Sequence, residues 1–151
     1  MRCSYLLLSL LLVGGCFQQD SNKVSQILPL EYQKTYRPVR NCRPIGIPEH
    51  RAKYIRVLAN SVEAQDAYIA ANCPLPQGSV IVAEESDKPD CSKVSGYSLM
   101  FKDVPGYDLA GFDWHWQQLD DTRTILQDGH VQECITCHTS CTLNDLTCSP
   151  P

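Results

Sequence analysis

Phe112-Asp113-Trp114-His115-Trp116-Gln117-Gln118-Leu119 sets large aromatic residues at every second position. A period of two marks a half-buried strand and puts Phe112, Trp114 and Trp116 on one face. Upstream, Pro105-Gly106-Tyr107-Asp108 reads as a turn, and downstream Asp120-Asp121 reads as another. Beyond the first turn, residues 97–104 alternate as a second strand. Residues 79–84 (Ser79-Val80-Ile81-Val82-Ala83-Glu84) have the dense apolar centre of a third, and residues 85–91 read as a charged loop. Residues 54–59 have strand-like apolar content, and residues 122–125 are a candidate for one more strand.

Two helices complete the pattern. Asn60-Ser61-Val62-Glu63 has the spacing of a capping box and opens a helix over 61–72, with Val62, Ala67, Tyr68 and Ala71 near one face. Cys73-Pro74-Leu75-Pro76-Gln77-Gly78 ends it. Residues 131–139 form a C-terminal helix. Strands joined by short turns pair antiparallel. With helices gathered to one side, the expectation is an α+β fold: a mostly antiparallel β-sheet, a few helices and a C-terminal haem-binding helix.

The reason for expecting haem is Cys134-Ile135-Thr136-Cys137-His138, a C-x-x-C-H site for covalent c-type haem, one per chain. Two thiols one helical turn apart can each form a thioether to a haem vinyl group, and His138 can then hold the iron. A zinc site would need a second ligand pair of similar spacing, and none appears. A thioredoxin-like pair belongs at a helix start early in a βαβ unit. A disulfide between Cys134 and Cys137 is sterically poor in a helix.

The N-terminus supplies the compartment. Arg2 is a positive n-region and residues 5–13 an apolar stretch too short to span a bilayer as a mature helix. Val13-Gly14-Gly15-Cys16 resembles a lipobox, in which the cysteine is acylated; an ordinary signal peptide is the alternative. The expected organisation is a lipoprotein signal peptide over 1–15, a flexible tether over 16–35 and a haem domain over 36–151. Acyl chains on Cys16 would hold the domain to a membrane of the bacterial cell envelope, on the periplasmic side or at the surface.

Such a location permits disulfides. Of nine cysteines, Cys42, Cys73, Cys91, Cys141 and Cys148 remain after the leader, lipid and haem sites are assigned. Cys141 with Cys148 would staple the tail, and Cys73 with Cys91 would tie the flanks of a strand. The net charge of −4 and the lack of a basic cluster argue against a nucleic-acid partner. Residues 29–48, rich in proline and arginine, read as irregular structure with one helical turn.

Thirteen residues follow His138, and none is Met, His or Lys. A sixth iron ligand must therefore come from upstream. Met100 reads as a core residue, His115 as facing away from the tryptophans, His130 as too near the motif, and His50 as exposed. The expectation is a five-coordinate iron with an open face, which binds small ligands rather than only passing electrons.

Arg56-Val57-Leu58-Ala59-Asn60, Leu75-Pro76-Gln77-Gly78-Ser79-Val80-Ile81-Val82, Tyr97-Ser98-Leu99-Met100-Phe101-Lys102, Pro105-Gly106-Tyr107-Asp108, Asp113-Trp114-His115-Trp116 and the haem motif follow one another in an order that resembles the cytochrome P-460 family, which includes the cytochromes c′-beta. The resemblance runs from about residue 36 to 145. It implies a mostly antiparallel sheet, often a homodimer, and a five-coordinate haem with His138 as proximal ligand. It also implies small gaseous or nitrogen-oxide ligands and a redox partner protein. Members that oxidise hydroxylamine depend on a lysine cross-linked to the haem, and Ala83 stands at that position here. This departure puts hydroxylamine oxidation in doubt and favours binding of NO or CO. An electron-transfer lipoprotein is the other alternative. Phe112, Trp114 and Trp116 are candidates for the distal wall, with core packing as their ordinary role. Arg56 is a candidate distal polar group, or an exposed strand arginine. Glu84 or Glu85 could act as a base, although surface carboxylates are commoner.

Overall fold

The computed structural model describes residues 24–45, 50–71 and 74–148. The signal-peptide and Cys16 assignments and Cys73 lie outside these residues. The chain order is α1 (Tyr32–Thr35), β1 (Arg37–Pro44), β2 (Tyr54–Ala59), α2 (Val62–Ala70), β3 (Val80–Ser86), β4 (Gly96–Lys102), β5 (Trp114–Asp120), β6 (Ile125–Gly129), α3 (Gln132–His138) and a 3-10 segment, Thr139–Asn144. The six strands form one antiparallel sheet in sequential order, so the α+β expectation holds. Among the described residues, no helix is long and apolar enough to cross a membrane.

Alternation divides the sheet into two faces. Ile55, Val57, Ile81, Ala83, Met100, Trp114 and Trp116 meet Tyr68 of α2, Val131 and Leu146 on one side. Leu58, Val80, Val82, Tyr97, Leu99 and Leu119 meet Leu28 and Tyr32 on the other. Burying a side chain of this size stabilises by roughly 1.5–3 kcal/mol, so both faces contribute to folding.

The second face corrects the tether. Leu28 and Tyr32 are fully buried. Arg123 donates to the carbonyls of Leu28 and Pro29 at 2.5 and 3.0 Å. Gln117 Oε1 accepts from Ile27 N–H at 2.9 Å. Residues 24–35 are thus part of the domain, because two apolar side chains and a set of backbone groups find partners on the sheet.

Several element boundaries move. Residues 37–44 form an edge strand, although Pro38 and Pro44 suggested irregular chain; proline is tolerated at an edge, where no ladder donor is needed. Helix α2 is capped by Ser61, whose Oγ accepts from Ala64 N–H at 3.1 Å. Asn60 instead bonds across to Gly78 O and Val80 N–H, each at 2.9 Å. The buried face of α2 is Ala64 and Tyr68, while Val62 is exposed. Glu85 and Ser86 extend β3 instead of opening a loop.

The Cys141–Cys148 disulfide forms as expected, with Cα atoms 5.0 Å apart. Cys91 pairs with Cys42, not with Cys73. The flanks of β3 are separated by the strand itself, roughly 20 Å at about 3.3 Å per residue, whereas a disulfide needs Cα atoms within about 7 Å. The loop after β3 folds back over β1, where Cys42 lies 3.3 Å from the carbonyl oxygen of Pro89.

Candidate functional site

Between the first sheet face and α3 lies a cavity of about 820 Å³. This is within the size of cofactor and ligand sites, about 300–1,000 Å³. Its floor is apolar: Ile55, Val57, Ile81, Ala83, Met100 and Trp116. Its rim carries Cys134, Cys137 and His138 from α3. The motif and the sheet face thus meet across one space.

Helix α3 buries none of its residues fully, so its motif side chains stay available to the cavity. The Cys134 and Cys137 thiols are free, although four other described cysteines are paired in disulfides. Burial, with Glu133 nearby, pushes the Cys134 thiol up to about 11, against a weaker opposing hydrogen bond from Gln118. Redox-active C-x-x-C cysteines have depressed values instead. The thiol environment therefore disfavours the thioredoxin-like reading.

His138 is held from behind. Its Nδ1 lies 2.5 Å from the carbonyl oxygen of Leu146. A carbonyl can only accept, so Nδ1 carries the proton and Nε2 keeps a lone pair. Burial pushes this imidazole towards its neutral form, while the Leu146 bond acts the other way. A neutral ring with Nδ1 tied to a carbonyl is the state in which histidine binds a metal. Trp116 meets the His138 ring edge-on, with centroids 4.8 Å apart.

The cavity has a polar corner that the sequence did not reveal. His50 lines it, with its ring centroid 6.3 Å from that of His138. Behind His50 is Glu85, which is 2 % exposed. His50 Nδ1 approaches Glu85 Oε1 to 3.6 Å, longer than a full hydrogen bond, while Ser98 Oγ donates to the same oxygen at 2.6 Å. Burial pushes the Glu85 carboxyl up, but His50 and Ser98, with the charge of Arg51, outweigh it and hold it below the usual carboxylate range. A carboxylate depressed in the folded state stabilises fully above its ordinary value of 4.5 and loses that contribution as pH falls further. Glu85→Gln is therefore expected to flatten the acid limb of stability against wild type below about pH 4.5. Urea melts across that range measure it, and parallel curves would contradict the assignment.

The other candidate residues divide. Trp116 lines the cavity, but Trp114 does not; its Nε1 donates to the carbonyl of Asp145 at 2.8 Å. Phe112 lies outside β5 with φ +58°, is 39 % exposed and is not on the cavity wall. Arg56 is on the opposite sheet face, where it pairs with Glu84, itself hydrogen-bonded by Tyr32 Oη at 2.6 Å. Neither Arg56 nor Glu84 reaches the cavity. His115 and His130 stack on the two faces of Tyr107, away from it. Ala83 is on the wall, and among the described residues no lysine lines the cavity.

The donor set fits a covalently held porphyrin. Two buried polar atoms without a hydrogen-bond partner, Arg43 Nε and Trp116 Nε1, belong to cavity residues, while a third, His50 Nδ1, faces Glu85. Such atoms are costly unless a ligand satisfies them. Cys134 and Cys137 would carry the thioethers, His138 the iron, and Arg43 a porphyrin carboxylate. Among the described residues there is no cluster of three or more His, Cys, Asp or Glu arranged to hold a bare ion. No family model matches the chain, and no curated protein matches its sequence.

Proposed function

We propose that this chain is an exported monohaem c-type cytochrome of the P-460/c′-beta type, held to the bacterial cell envelope through lipid on Cys16. In this reading His138 is the proximal ligand of a five-coordinate iron, and small neutral molecules such as NO or CO bind the open side. The observation that carries it is the convergence of Cys134, Cys137 and a backbone-pinned His138 on one apolar cavity. Haem supplies reversible binding of a diatomic ligand. The chain's own residues orient the imidazole, exclude water with Ile55, Val57, Ile81 and Met100, and offer polar groups that include His50, Ser98 and Gln118. An apolar wall favours neutral ligands, because a buried charge is costly without a partner.

Hydroxylamine oxidation finds less support. The wall position expected to hold the cross-linking lysine is Ala83, and no lysine among the described residues replaces it there. The electron-transfer reading is favoured by a different observation: His50 and Met100 both line the cavity, and either could fill the sixth position. A redox partner protein and a homodimer remain part of the reading that the family resemblance supports.

One set of optical spectra of the full-length holoprotein decides between these, taken oxidised, reduced, and reduced with CO. The proposal expects a high-spin ferrous spectrum that CO converts. A low-spin spectrum insensitive to CO would replace it with electron transfer, and a ferrous band shifted far to the red would replace it with cross-linked chemistry.

A further inference from the structure

The tail after α3 is built as a clamp on one hydrogen bond. The Cys141–Cys148 disulfide closes a loop whose centre, Asp145 and Leu146, is buried. Leu146 turns its carbonyl onto His138 Nδ1, and its own N–H donates to Cys141 O at 3.1 Å. Cys148 Sγ lies 3.8 Å from the same Nδ1. Asp145, Leu146 and Cys148 all sit in the left-handed region, at φ 52°, 62° and 50°. Such a conformation for non-glycine residues persists only where the surroundings over-determine it.

Those surroundings centre on Asp145. Its carboxylate accepts from Leu75 N–H at 2.8 Å and pairs with Lys102 Nζ at 2.7 Å, with both side chains largely shielded. Its carbonyl accepts from Trp114 Nε1. Lys102 Nζ in turn lies 4.6 Å from the centroid of the Trp114 ring. The loop is thus fixed to β4, β5 and the segment before β3 through one residue, and closed on itself by one disulfide. Cys141 and Cys148 themselves line the cavity, whereas Asp145 does not.

We propose that the Cys141–Cys148 loop, anchored by Asp145, is the positioning element of the proximal imidazole. It fixes the Nδ1–H tautomer of His138 and sets how strongly Nε2 donates to iron, so opening the disulfide weakens the axial bond without unfolding the domain. The proposal rests on the haem reading above. An acceptor on Nδ1 raises ligand basicity, and losing such an outer partner typically costs about 10–100-fold in metal affinity or activity.

The test uses the full-length holoprotein in its ferrous state. Resonance Raman reads the iron–imidazole stretch, and a redox titration reads the midpoint potential. Cys141→Ala/Cys148→Ala is expected to move the stretch to lower frequency, broaden it and raise the potential, because a poorer donor stabilises the ferric state less. Asp145→Asn, which keeps the disulfide, is expected to shift both in the same direction by less, and it decides the matter if the double variant does not fold. Cys42→Ala/Cys91→Ala is the control, expected to lose stability and leave both signals in place. Unchanged signals in the folded tail variants would overturn the proposal, as would an equal shift in the control. Wild-type protein that takes up no haem would instead remove the haem reading itself.

Discussion

Protein carrying Cys134→Ser and Cys137→Ser, made alongside a c-haem maturation system, is expected to fold and to carry no covalent pigment. The reasoning is geometric. Both thiols sit on the rim of the cavity, on a helix with no fully buried residue, so exchange of sulfur for oxygen disturbs little packing. Neither thiol is in a disulfide, so no cross-link is lost. The hydroxyl does not add to a vinyl group as the thiol does. The loss is therefore in attachment and not in fold. Each single replacement leaves one thioether and is expected to retain pigment. A pyridine haemochrome assay after denaturation and an intact mass measure the attachment, and a melting curve measures the fold. Covalent pigment in the double variant would remove the basis of the functional reading.

The second large effect is on stability. Cys42→Ser/Cys91→Ser removes a cross-link spanning 49 residues. The chain-entropy account gives roughly 4 kcal/mol for a loop of that length. A domain's whole stability is about 5–15 kcal/mol, so a loss of this size consumes a large share. The bond also holds the edge strand β1 to the loop after β3, and among the described residues β1 has no strand partner besides β2. Urea titration under oxidising conditions is expected to show a much lower midpoint in the variant. A midpoint within experimental error of wild type would mean that the unfolded chain is already compact around that loop, or that strand pairing alone holds β1.

The central strands were legible because their chemistry is local. Residues 54–59 have strand-like apolar content, and β2 occupies those positions. Strand parity could have placed Arg56: with Ile55 and Val57 inward, the residue between them points to the other face. Extending the alternation back to Phe112 went one step too far, since Phe112 and Asp113 both have positive φ in the preceding turn. Strand β1 was hidden by its prolines and arginines, because an edge strand is held by its neighbour rather than by its own pattern. Glu84 and Glu85 were read at face value as charges. Their burial depends on Tyr32, Arg56, Ser98 and His50, which arrive from elsewhere in the chain.

The candidate site followed the same division. Cys134, Cys137 and His138 are contiguous, so the motif could be read directly. The cavity opposite them is not contiguous. Ala83, Met100 and Trp116 come from three strands, and His50 joins them only because the sheet closes. Leu146 as the partner of His138 had no signal in the sequence, because a backbone carbonyl has no identity code.

The sheet is open, and its two borders differ. On β1, Pro38 and Pro44 interrupt the row of donors, and register shifts after Pro38 and after Arg40 kink it. Another copy laid alongside would find gaps where it needs hydrogen bonds, a common defence against uncontrolled polymerisation. The opposite border, β6, is five residues long and carries Asp128. Filament growth by strand addition is thus blocked at one end and offered only a brief charged landing at the other, so these molecules should stay discrete even at high local concentration.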